Sequence, residues 1–116
     1  MNNLIWKKCG QDNHWCNLQL LDLSSIDEVG VYIIWHEGNP SRVVRIGQGV
    51  ISERLREHRG NPEITKYAAY GTLRVTWASV PHQYRDGVEK YLSDKFRPLV
   101  GESFPNAYPI AVNSPF

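Results

Sequence analysis

Two apolar runs separated by a turn stand out in the pattern of hydrophobic and polar positions along the chain. Val29–His36 is an almost continuous run of β-branched and aromatic residues, which predicts a strand covered on both faces. Arg42–Gln48 is the second run and predicts a returning strand. Residues 37–40 (Glu-Gly-Asn-Pro) predict the turn, because Gly and Asn accept positive φ and Pro lacks a donor for a strand ladder.

The length of this turn predicts the register of the hairpin. If its four residues close the loop, Ser41 pairs with His36, and Arg45 then lies directly opposite Tyr32. Opposite side chains on one face are about 5 Å apart at Cβ, so a guanidinium and a phenol would meet. A shift of one residue would move Arg45 to the other face of the sheet.

A helix is predicted after the hairpin. Gly47-Gln48-Gly49 indicates a tight corner, and residues 51–59 have the spacing of an amphipathic helix that the following Gly-Asn-Pro ends. Arg54 and His58 are four residues apart and therefore share one stripe of this helix. The apolar stripe is expected to contain Ile51 and Leu55.

The rest of the chain adds fewer elements. Residues 73–80 alternate well enough for a third strand, and residues 81–97 form the longest helical pattern. Gly87 interrupts that pattern at a cost of about 1 kcal/mol relative to Ala, which indicates a close approach of another backbone. Short helices are expected near residues 16–22 and between residues 62 and 70.

This order of elements predicts the fold class. We expect one α+β domain over residues 1–116, with a small, mainly antiparallel three-stranded sheet flanked by helices in an α/β sandwich-like arrangement. Residues 1–27 are expected to form an N-terminal segment that covers the core. A chain of 116 residues can bury such a core without metal or disulfide cross-links.

Composition excludes few function classes. The hydrophobic fraction of 41% and the charged fraction of 22% are ordinary for a globular protein. No apolar run approaches the roughly 20 residues of a membrane-spanning helix, and the N-terminus lacks a signal-peptide pattern. We therefore expect a cytoplasmic protein with no membrane partner. The net charge of +1 conceals a local basic cluster, which is typical of proteins that bind polyanions; it consists of Arg54, Arg56, His58 and Arg59, with Lys66 a little downstream.

The two cysteines, Cys9 and Cys16, are too few for the disulfide framework of a secreted protein. His14 lies between them, so a zinc site is conceivable, but a fourth ligand is missing. We therefore expect two reduced thiols in an N-terminal packing segment.

Six positions fall in the order and at the intervals of a known family. They are the tripeptide Gly30-Val31-Tyr32, the tripeptide Arg45-Ile46-Gly47, Arg54 and His58 on the following helix, Glu89 on the later helix, and Asn106 near the end. Over residues 28–110 the chain thereby resembles the GIY-YIG nuclease domain. The second tripeptide departs from the family pattern, because it begins with Arg45 where the family has tyrosine.

The resemblance implies an endonuclease that hydrolyses DNA phosphodiester bonds with one divalent metal ion, Mg²⁺ or Mn²⁺. It assigns the metal to Glu89, and such sparse protein ligation suits Mg²⁺, which keeps most of its waters. Tyr32 would act as the general base or orient the attacking water, and Arg54 would hold the scissile phosphate with its fork of donors. His58 would bind the phosphate or share the role of base. Arg45 would border the phosphate.

Contacts to DNA follow from the same resemblance and from the basic cluster. The residues expected to bind nucleic acid are Arg54, Arg56, Arg59, Lys66 and Asn106. The four cations would contact phosphates. Asn106 is expected to fix the loop beside Glu89.

Several of these residues also have a purely structural interpretation. His58 would be a capping or surface histidine. Tyr32 would be an ordinary aromatic residue of a buried strand. Glu89 would be a solvated helix residue paired with Lys90 or Lys95. Arg54 would pair with a neighbour on an exposed helix face at little gain in stability.

Arg45 leaves the activity open. Opposite Tyr32 it could lower the pKa of the phenol and bind phosphate in place of the usual tyrosine. Alternatively, it belongs to a catalytically inactive nucleic-acid-binding module on the same fold. A protein-interaction domain is the third hypothesis.

Overall fold

A computed structural model of the chain describes residues 3–101 and 106–116. Its centre is an antiparallel sheet of four strands in the spatial order β1-β4-β2-β3. The strands are β1 (Cys16–Asn17), β2 (Val29–His36), β3 (Arg42–Val50) and β4 (Leu73–Ser79). The α-helices are α1 (Ile51–Arg59), α2 (Pro62–Thr65) and α3 (His82–Phe96), and two 3-10 helices span Leu23–Ser25 and Lys66–Ala69. The α+β class is as predicted, with one strand more than the three expected.

The central strand β2 buries side chains on both faces of the sheet. On one face, residues of β2 pack against α1; this cluster includes Tyr32, Ile34, Ile51 and Leu55. On the other face, residues of β2 pack against α3; this cluster includes Val31, Ile33, Val88 and Leu92. The continuous apolar run of β2 is explained by this double coverage, and the prediction that both faces are covered is confirmed.

The hairpin between β2 and β3 closes one residue later than predicted. His36 pairs with Arg42, and Ser41 belongs to the loop. The Ser41 hydroxyl donates a hydrogen bond of 2.9 Å to the backbone carbonyl of His36. A side chain thus takes the place of the backbone pairing that loop length alone predicted.

A β-bulge shifts the register a second time. Ile34 pairs with Arg45, but the next residue, Trp35, pairs with Val43. Val44 is therefore the extra residue of β3, a feature that sequence pattern did not reveal.

The two shifts together bring Gly47, and not Arg45, opposite Tyr32. The predicted pairing of Arg45 with Tyr32 is therefore wrong. Because the total shift is two residues, however, Arg45 stays on the face of the sheet that carries Tyr32. It lies one step along the ladder, opposite Ile34.

The N-terminal segment follows the outer edge of β4 instead of forming a helix. Cys16 pairs with Val75, and the backbone N–H of Lys7 donates to the carbonyl of Trp77 at 2.9 Å. The helix expected near residues 16–22 is therefore a wrong prediction. The unpaired backbone groups of a sheet edge offered this segment hydrogen bonds that its weak helical pattern could not match.

Cys9 and Cys16 form a disulfide bond, with their Cα atoms 5.1 Å apart. The prediction of two reduced thiols is thus contradicted. Cys9 and His14 exchange backbone hydrogen bonds of 2.8 and 3.0 Å, and this small hairpin folds the chain back so that the two sulfurs meet. Both sulfurs are bonded to each other, so neither is available as a thiolate ligand for zinc.

The close approach predicted at Gly87 is confirmed. A Cβ atom there would lie 2.5 Å from the Ile110 side chain and 2.7 Å from the Tyr108 carbonyl oxygen. The Ile110 N–H also donates to the Gly87 carbonyl at 2.9 Å. The C-terminal segment therefore lies directly on α3. Within residues 3–101 and 106–116, no helix has the length and apolar character to cross a membrane.

Candidate active site

Strand β3 forms one edge of the sheet, and its first part is covered by the segment that follows α3. The N–H groups of Leu99 and Val100 donate to the carbonyls of Val43 and Val44 at 3.1 and 2.8 Å. The predicted site residues gather farther along β3, around Gly47.

Gly47 gives the Tyr32 side chain room to extend across β3. A Cβ atom on Gly47 would overlap the phenol oxygen and would lie 2.6 Å from Cζ of the ring. The phenol therefore lies directly over the glycine backbone. Gly49, which has φ +129°, makes the corner into α1. Of the two glycines expected at this corner, Gly47 thus has a different role, which is to accommodate the ring.

Tyr32 and His58 form the central contact of the site. The phenol oxygen lies 2.5 Å from Nε2 of His58, and the two side chains are 1% and 7% exposed. Burial, and next the nearby Arg45 guanidinium, lower the pKa of His58 to about 4. At neutral pH the imidazole is therefore uncharged, and in the tautomer that carries its proton on Nδ1, Nε2 accepts a hydrogen bond from the Tyr32 hydroxyl. The imidazole proton is then on Nδ1, a buried atom with no hydrogen-bond partner among the described residues.

Arg45 lies close to this pair but does not activate the phenol in the way predicted. Its positive charge and a hydrogen bond lower the pKa of Tyr32, yet burial outweighs both, so the pKa of Tyr32 is raised. The guanidinium packs against Gly101, where a Cβ atom would overlap it. Its Nε is buried and, within the described part of the chain, has no hydrogen-bond partner.

Arg54 crosses the corner between β3 and α1. Its Nε donates to the carbonyl of Gln48 at 3.2 Å, and its Nη1 lies 3.5 Å from a carboxylate oxygen of Glu57. Both side chains of the ion pair are largely exposed, so the pair contributes less than about 1 kcal/mol. The guanidinium can therefore exchange Glu57 for an incoming phosphate at little cost.

Glu89 is buried at the other side of the edge strand, on α3. It is 5% exposed, and burial raises its pKa to about 7. The Gln48 amide donates a hydrogen bond of 3.4 Å to Glu89 and one of 2.8 Å to Asp86. Asp86 also raises the pKa of Glu89 by repulsion, while Arg45 lowers it. The site thus brings carboxylates close to two guanidinium groups.

The structural interpretation of Glu89 as a solvated, lysine-paired residue is wrong. Lys90 pairs instead with Asp94 at 2.9 Å, and Lys95 lies over the Phe96 ring, 5.9 Å from its centroid. Burying a carboxylate is costly unless something compensates for it. The raised pKa of Glu89 is the response to this cost, because a protonated carboxyl group is cheaper to bury than a carboxylate.

A divalent metal ion is compatible with this donor set. Among the described residues, no three His, Cys, Asp or Glu side chains gather into a metal cluster. Mg²⁺, however, is commonly bound through one or two carboxylates, with water and substrate phosphate completing its shell. Glu89, with Asp86 one helical turn away on the same face of α3, provides such a sparse set.

Arg59 and Arg56, both predicted to bind nucleic acid, differ in their surroundings. Arg59 donates from Nε to the carbonyl of Leu18 at 2.7 Å and from Nη2 to the carbonyl of Leu21. These bonds tie the N-terminal segment to α1. Arg56 is exposed on α1. Of the two side chains, Arg56 is thus the one with no structural task in the described contacts.

Lys66 and Asn106 are not brought into contact with the central group. Lys66 lies in the 3-10 helix Lys66–Ala69, 3.6 Å from Glu63. Asn106 is exposed in a turn, and no hydrogen bond in the described part of the chain joins it to Glu89. Asn113, not Asn106, fixes a segment through its side chain. Its amide oxygen accepts from the Leu4 N–H, and its amide nitrogen donates to the Leu4 carbonyl.

Sequence reasoning missed Gln48, Asp86 and Asn113. Gln48 lies between Gly47 and Gly49, and this Gly-X-Gly pattern indicates a turn of the backbone but no role for the glutamine side chain. Asp86 precedes Glu89 by three residues, and this helical spacing was a signal that could have identified it. Asn113 had no recognisable signal, since it acts on a residue more than a hundred positions earlier in the chain.

Comparison with known proteins yields no match: no family model, no curated protein and no solved structure is similar to this chain.

Proposed function

We propose that this protein is a GIY-YIG-type endonuclease that hydrolyses DNA phosphodiester bonds with a divalent metal ion, Mg²⁺ or Mn²⁺. The observation that supports this most directly is the 2.5 Å contact between the Tyr32 hydroxyl and Nε2 of an uncharged His58. Two arginines and a buried glutamate lie around this contact, as a phosphate-handling site requires.

The Tyr32–His58 pair provides a route for a proton. In the proposed reaction a water oxygen bonds to phosphorus, one water proton passes to the Tyr32 oxygen, and the phenolic proton passes to Nε2 of His58. The phosphorus–oxygen bond to the leaving sugar breaks, and the leaving oxygen takes a proton from solvent. The phenol need not ionise beforehand, which matters because burial raises its pKa.

Arg45 and Arg54 would bind the phosphate and tune the base. Both charges lower the pKa of His58 in the free protein. A bound phosphate would offset these charges and make Nε2 more basic at the moment a proton must be accepted. Because Tyr32 is only 1% exposed, water must gain access to the phenol when the substrate binds. The weak ion pair of Arg54 with Glu57 lets the Arg54 side chain turn toward a phosphate at little cost.

Glu89, assisted by Asp86, would hold the metal ion. A bound divalent cation supplies positive charge that stabilises the negative charge building on the phosphate oxygens. The residues of the chain prepare this site in advance: burial disfavours an ionised Glu89, and the Gln48 amide orients the carboxylate. Below its raised pKa, Glu89 would therefore release a proton when it holds a cation.

A catalytically inactive nucleic-acid-binding module is the second candidate. The observation that favours it is Arg45, which stands where the family has tyrosine. Such a module would keep salt-dependent binding through Arg54 and Arg56 and would lack turnover.

Cleavage of supercoiled, branched and flap DNA by the purified chain, with Mg²⁺ or Mn²⁺, tests the proposal. We expect cleavage that Glu89→Gln and Tyr32→Phe abolish. Asp94→Asn is the matched control, since Asp94 is exposed on the same helix and should leave cleavage unchanged. Binding without any cleavage that depends on Glu89 would overturn the nuclease and favour the inactive module. In that case we expect Arg45→Tyr to introduce activity.

DNA as the partner and the cytoplasm as the location are both part of the proposal. The disulfide between Cys9 and Cys16 bears on the second point, because disulfides are rare where glutathione and thioredoxin keep thiols reduced. Counting free thiols in protein purified from a reducing cytoplasm under alkylating conditions tests whether the bond forms there.

A further inference from the structure

Three aromatic rings lie nearly parallel beyond the site, at the hairpin end of β2. The ring centroids of His36 and Tyr70 are 5.4 Å apart with an interplanar angle of 28°. Those of Tyr67 and Tyr70 are 6.0 Å apart at 29°, and those of His36 and Tyr67 are 6.2 Å apart at 10°. We call these three residues the aromatic platform.

Exposure increases across the platform from the core to the surface. His36 is 4% exposed, Tyr67 is half-buried, and Tyr70 is 66% exposed. Tyr70 therefore packs on two supported rings and presents most of its surface to solvent. A tyrosine this exposed adds little to the core, yet its backbone is fixed by a 3.0 Å hydrogen bond from its N–H to the Tyr67 carbonyl, and its ring packs against the rings of His36 and Tyr67. A ring supported in this way loses less entropy than a free one when a ligand stacks on it.

The platform lies on the same face of the sheet as the candidate active site. His36 and Tyr32 both belong to β2, four residues apart, and Tyr67 packs against the cluster that contains Tyr32. Four residues of a strand span about 13 Å. A few nucleotides of a single strand cover this separation, so one chain can occupy both places.

The charges around the platform suit a nucleic-acid backbone. Lys66 lies 5.4 Å from the centroid of the Tyr67 ring, and Arg74 follows the neighbouring Leu73, which pairs with His36 in the ladder. Of the nearby carboxylates, Glu63 is 3.6 Å from Lys66, and Glu37 is bound to Arg74 at 2.9 Å. Both acids are thus paired. The pair of Lys66 with Glu63 is exposed and contributes little, so Lys66 can exchange Glu63 for a phosphate.

We propose that Tyr70 stacks an unpaired base of a nucleic-acid substrate whose backbone continues to the site around Tyr32. This inference rests on the proposed function and specifies its substrate as one with a single-stranded stretch. A paired base in a duplex keeps its faces covered by its neighbours, whereas an unpaired base offers a face to an aromatic ring. Lys66 would become a phosphate contact here, apart from the central arginines.

Binding of a short fluorescently labelled thymidine oligonucleotide, measured by anisotropy with EDTA present to prevent cleavage, tests this inference. We expect Tyr70→Ala to weaken binding about 5- to 150-fold, the range for loss of one stacked base. Tyr70→Phe should keep the affinity, because the ring remains. Tyr108→Ala is the matched control: Tyr108 is 91% exposed and lies outside the platform. Binding of a blunt duplex of the same sequence should be unaffected by all three variants.

The possible results separate this inference from the nuclease proposal. If Tyr70→Ala weakens single-strand binding but no DNA is cleaved, the platform stands and the nuclease falls. If DNA is cleaved but Tyr70→Ala binds the oligonucleotide like the wild type, the platform is overturned. The same conclusion follows if the wild type does not bind the oligonucleotide, or if Tyr108→Ala has an equal effect. NMR adds a direct check: a stacked base should shift the Tyr70 ring protons upfield and leave those of Tyr108 in place.

Discussion

Gly47 lies directly opposite Tyr32 in the ladder between β2 and β3, and the phenol covers it. The ring of Tyr32, the central residue of the candidate site, therefore packs directly on the backbone of Gly47. Any side chain at this position would compete with the phenol for the same volume. The last residue of one tripeptide and the last residue of the other are thus matched in shape.

We expect Gly47→Ala to destabilise the protein by about 1–3 kcal/mol, the usual cost of overpacking. The added Cβ would meet the hydroxyl and the ring of Tyr32. Urea denaturation of Gly47→Ala, Tyr32→Phe and the double variant measures this cost and its coupling. Part of it should vanish in the double variant, because Phe lacks the oxygen nearest the new methyl group. Strictly additive effects would contradict the contact.

His58 and Glu89 should make the free energy of unfolding depend on pH in opposite directions, so that the two effects partly cancel in the wild type. The pKa of His58 falls on folding from 6.5 to about 4, so its contribution is complete above pH 6.5 and is lost as the pH falls toward 4. The pKa of Glu89 rises from 4.5 to about 7, so its contribution is complete below pH 4.5 and is lost as the pH rises toward 7. Between pH 4.5 and 6.5 the two slopes oppose each other.

Single variants should reveal each slope. Glu89→Gln leaves the His58 slope, so its free energy of unfolding should fall with acidification by up to about 3 kcal/mol. His58→Gln leaves the Glu89 slope and should lose stability as the pH rises. Denaturation at a series of pH values is the measurement, and NMR titration of the His58 ring checks its pKa directly. Parallel profiles for both variants would be inconsistent with these pKa shifts.

Metal affinity should depend on pH through Glu89. A divalent cation requires the ionised carboxylate, whose pKa is raised to about 7, so binding should release a proton below that pKa. We expect Mn²⁺ affinity to rise about tenfold per pH unit until the pKa is reached and then to level off. Calorimetric titration in two buffers of different ionisation enthalpy counts the protons. Asp94→Asn should behave like the wild type, and a pH-independent affinity would exclude Glu89 as the ligand.

Replacing Arg59 should lower the stability of the fold, whereas replacing Arg56 should affect only binding to nucleic acid. Arg59→Ala removes two hydrogen bonds to carbonyl oxygens, so we expect a loss of about 2 kcal/mol in the free energy of unfolding. Arg56→Ala should change stability by less than about 0.5 kcal/mol. If Arg56 contacts a phosphate, the same variant should reduce the slope of log affinity against log salt by about 1. Equal stability of both variants would mean that Arg59 does not anchor the N-terminal segment.

The disulfide should stabilise the folded protein. It links residues seven positions apart, and the entropy of closing so short a loop corresponds to about 2 kcal/mol. We expect the double variant Cys9→Ser, Cys16→Ser to lose this amount. A reductant should lower the melting temperature of the wild type and leave the double variant unaffected. A wild type insensitive to reductant would show that the bond is absent.

The elements with strong local patterns were predictable. The bounds of α1 and of β2 agree with the sequence, since a buried stripe and an unbroken apolar run are local signals. The position of Glu89 on a long helix was predicted too, but not its burial, which arises because α3 turns this face toward β3. Contacts between distant residues carry no local pattern.

The register of the hairpin was beyond a local prediction. It depends on the Ser41 hydroxyl, which closes the loop, and on the extra residue Val44. The two-residue strand β1 was missed for a related reason: Cys16–Asn17 has no strand pattern of its own and pairs because β4 offers it an edge. The disulfide followed from the same folding back of the N-terminal segment.

The bulge at Val44 also has a consequence for how this chain can vary in length. It divides the hairpin into a distal half that carries the loop and a proximal half that carries Tyr32 and Gly47. If a residue is inserted or deleted in the distal half, a bulge can form or disappear there and leave the strand pairing of the proximal half unchanged. Insertions and deletions in the loop are therefore compatible with an unchanged contact between the Tyr32 phenol and Gly47.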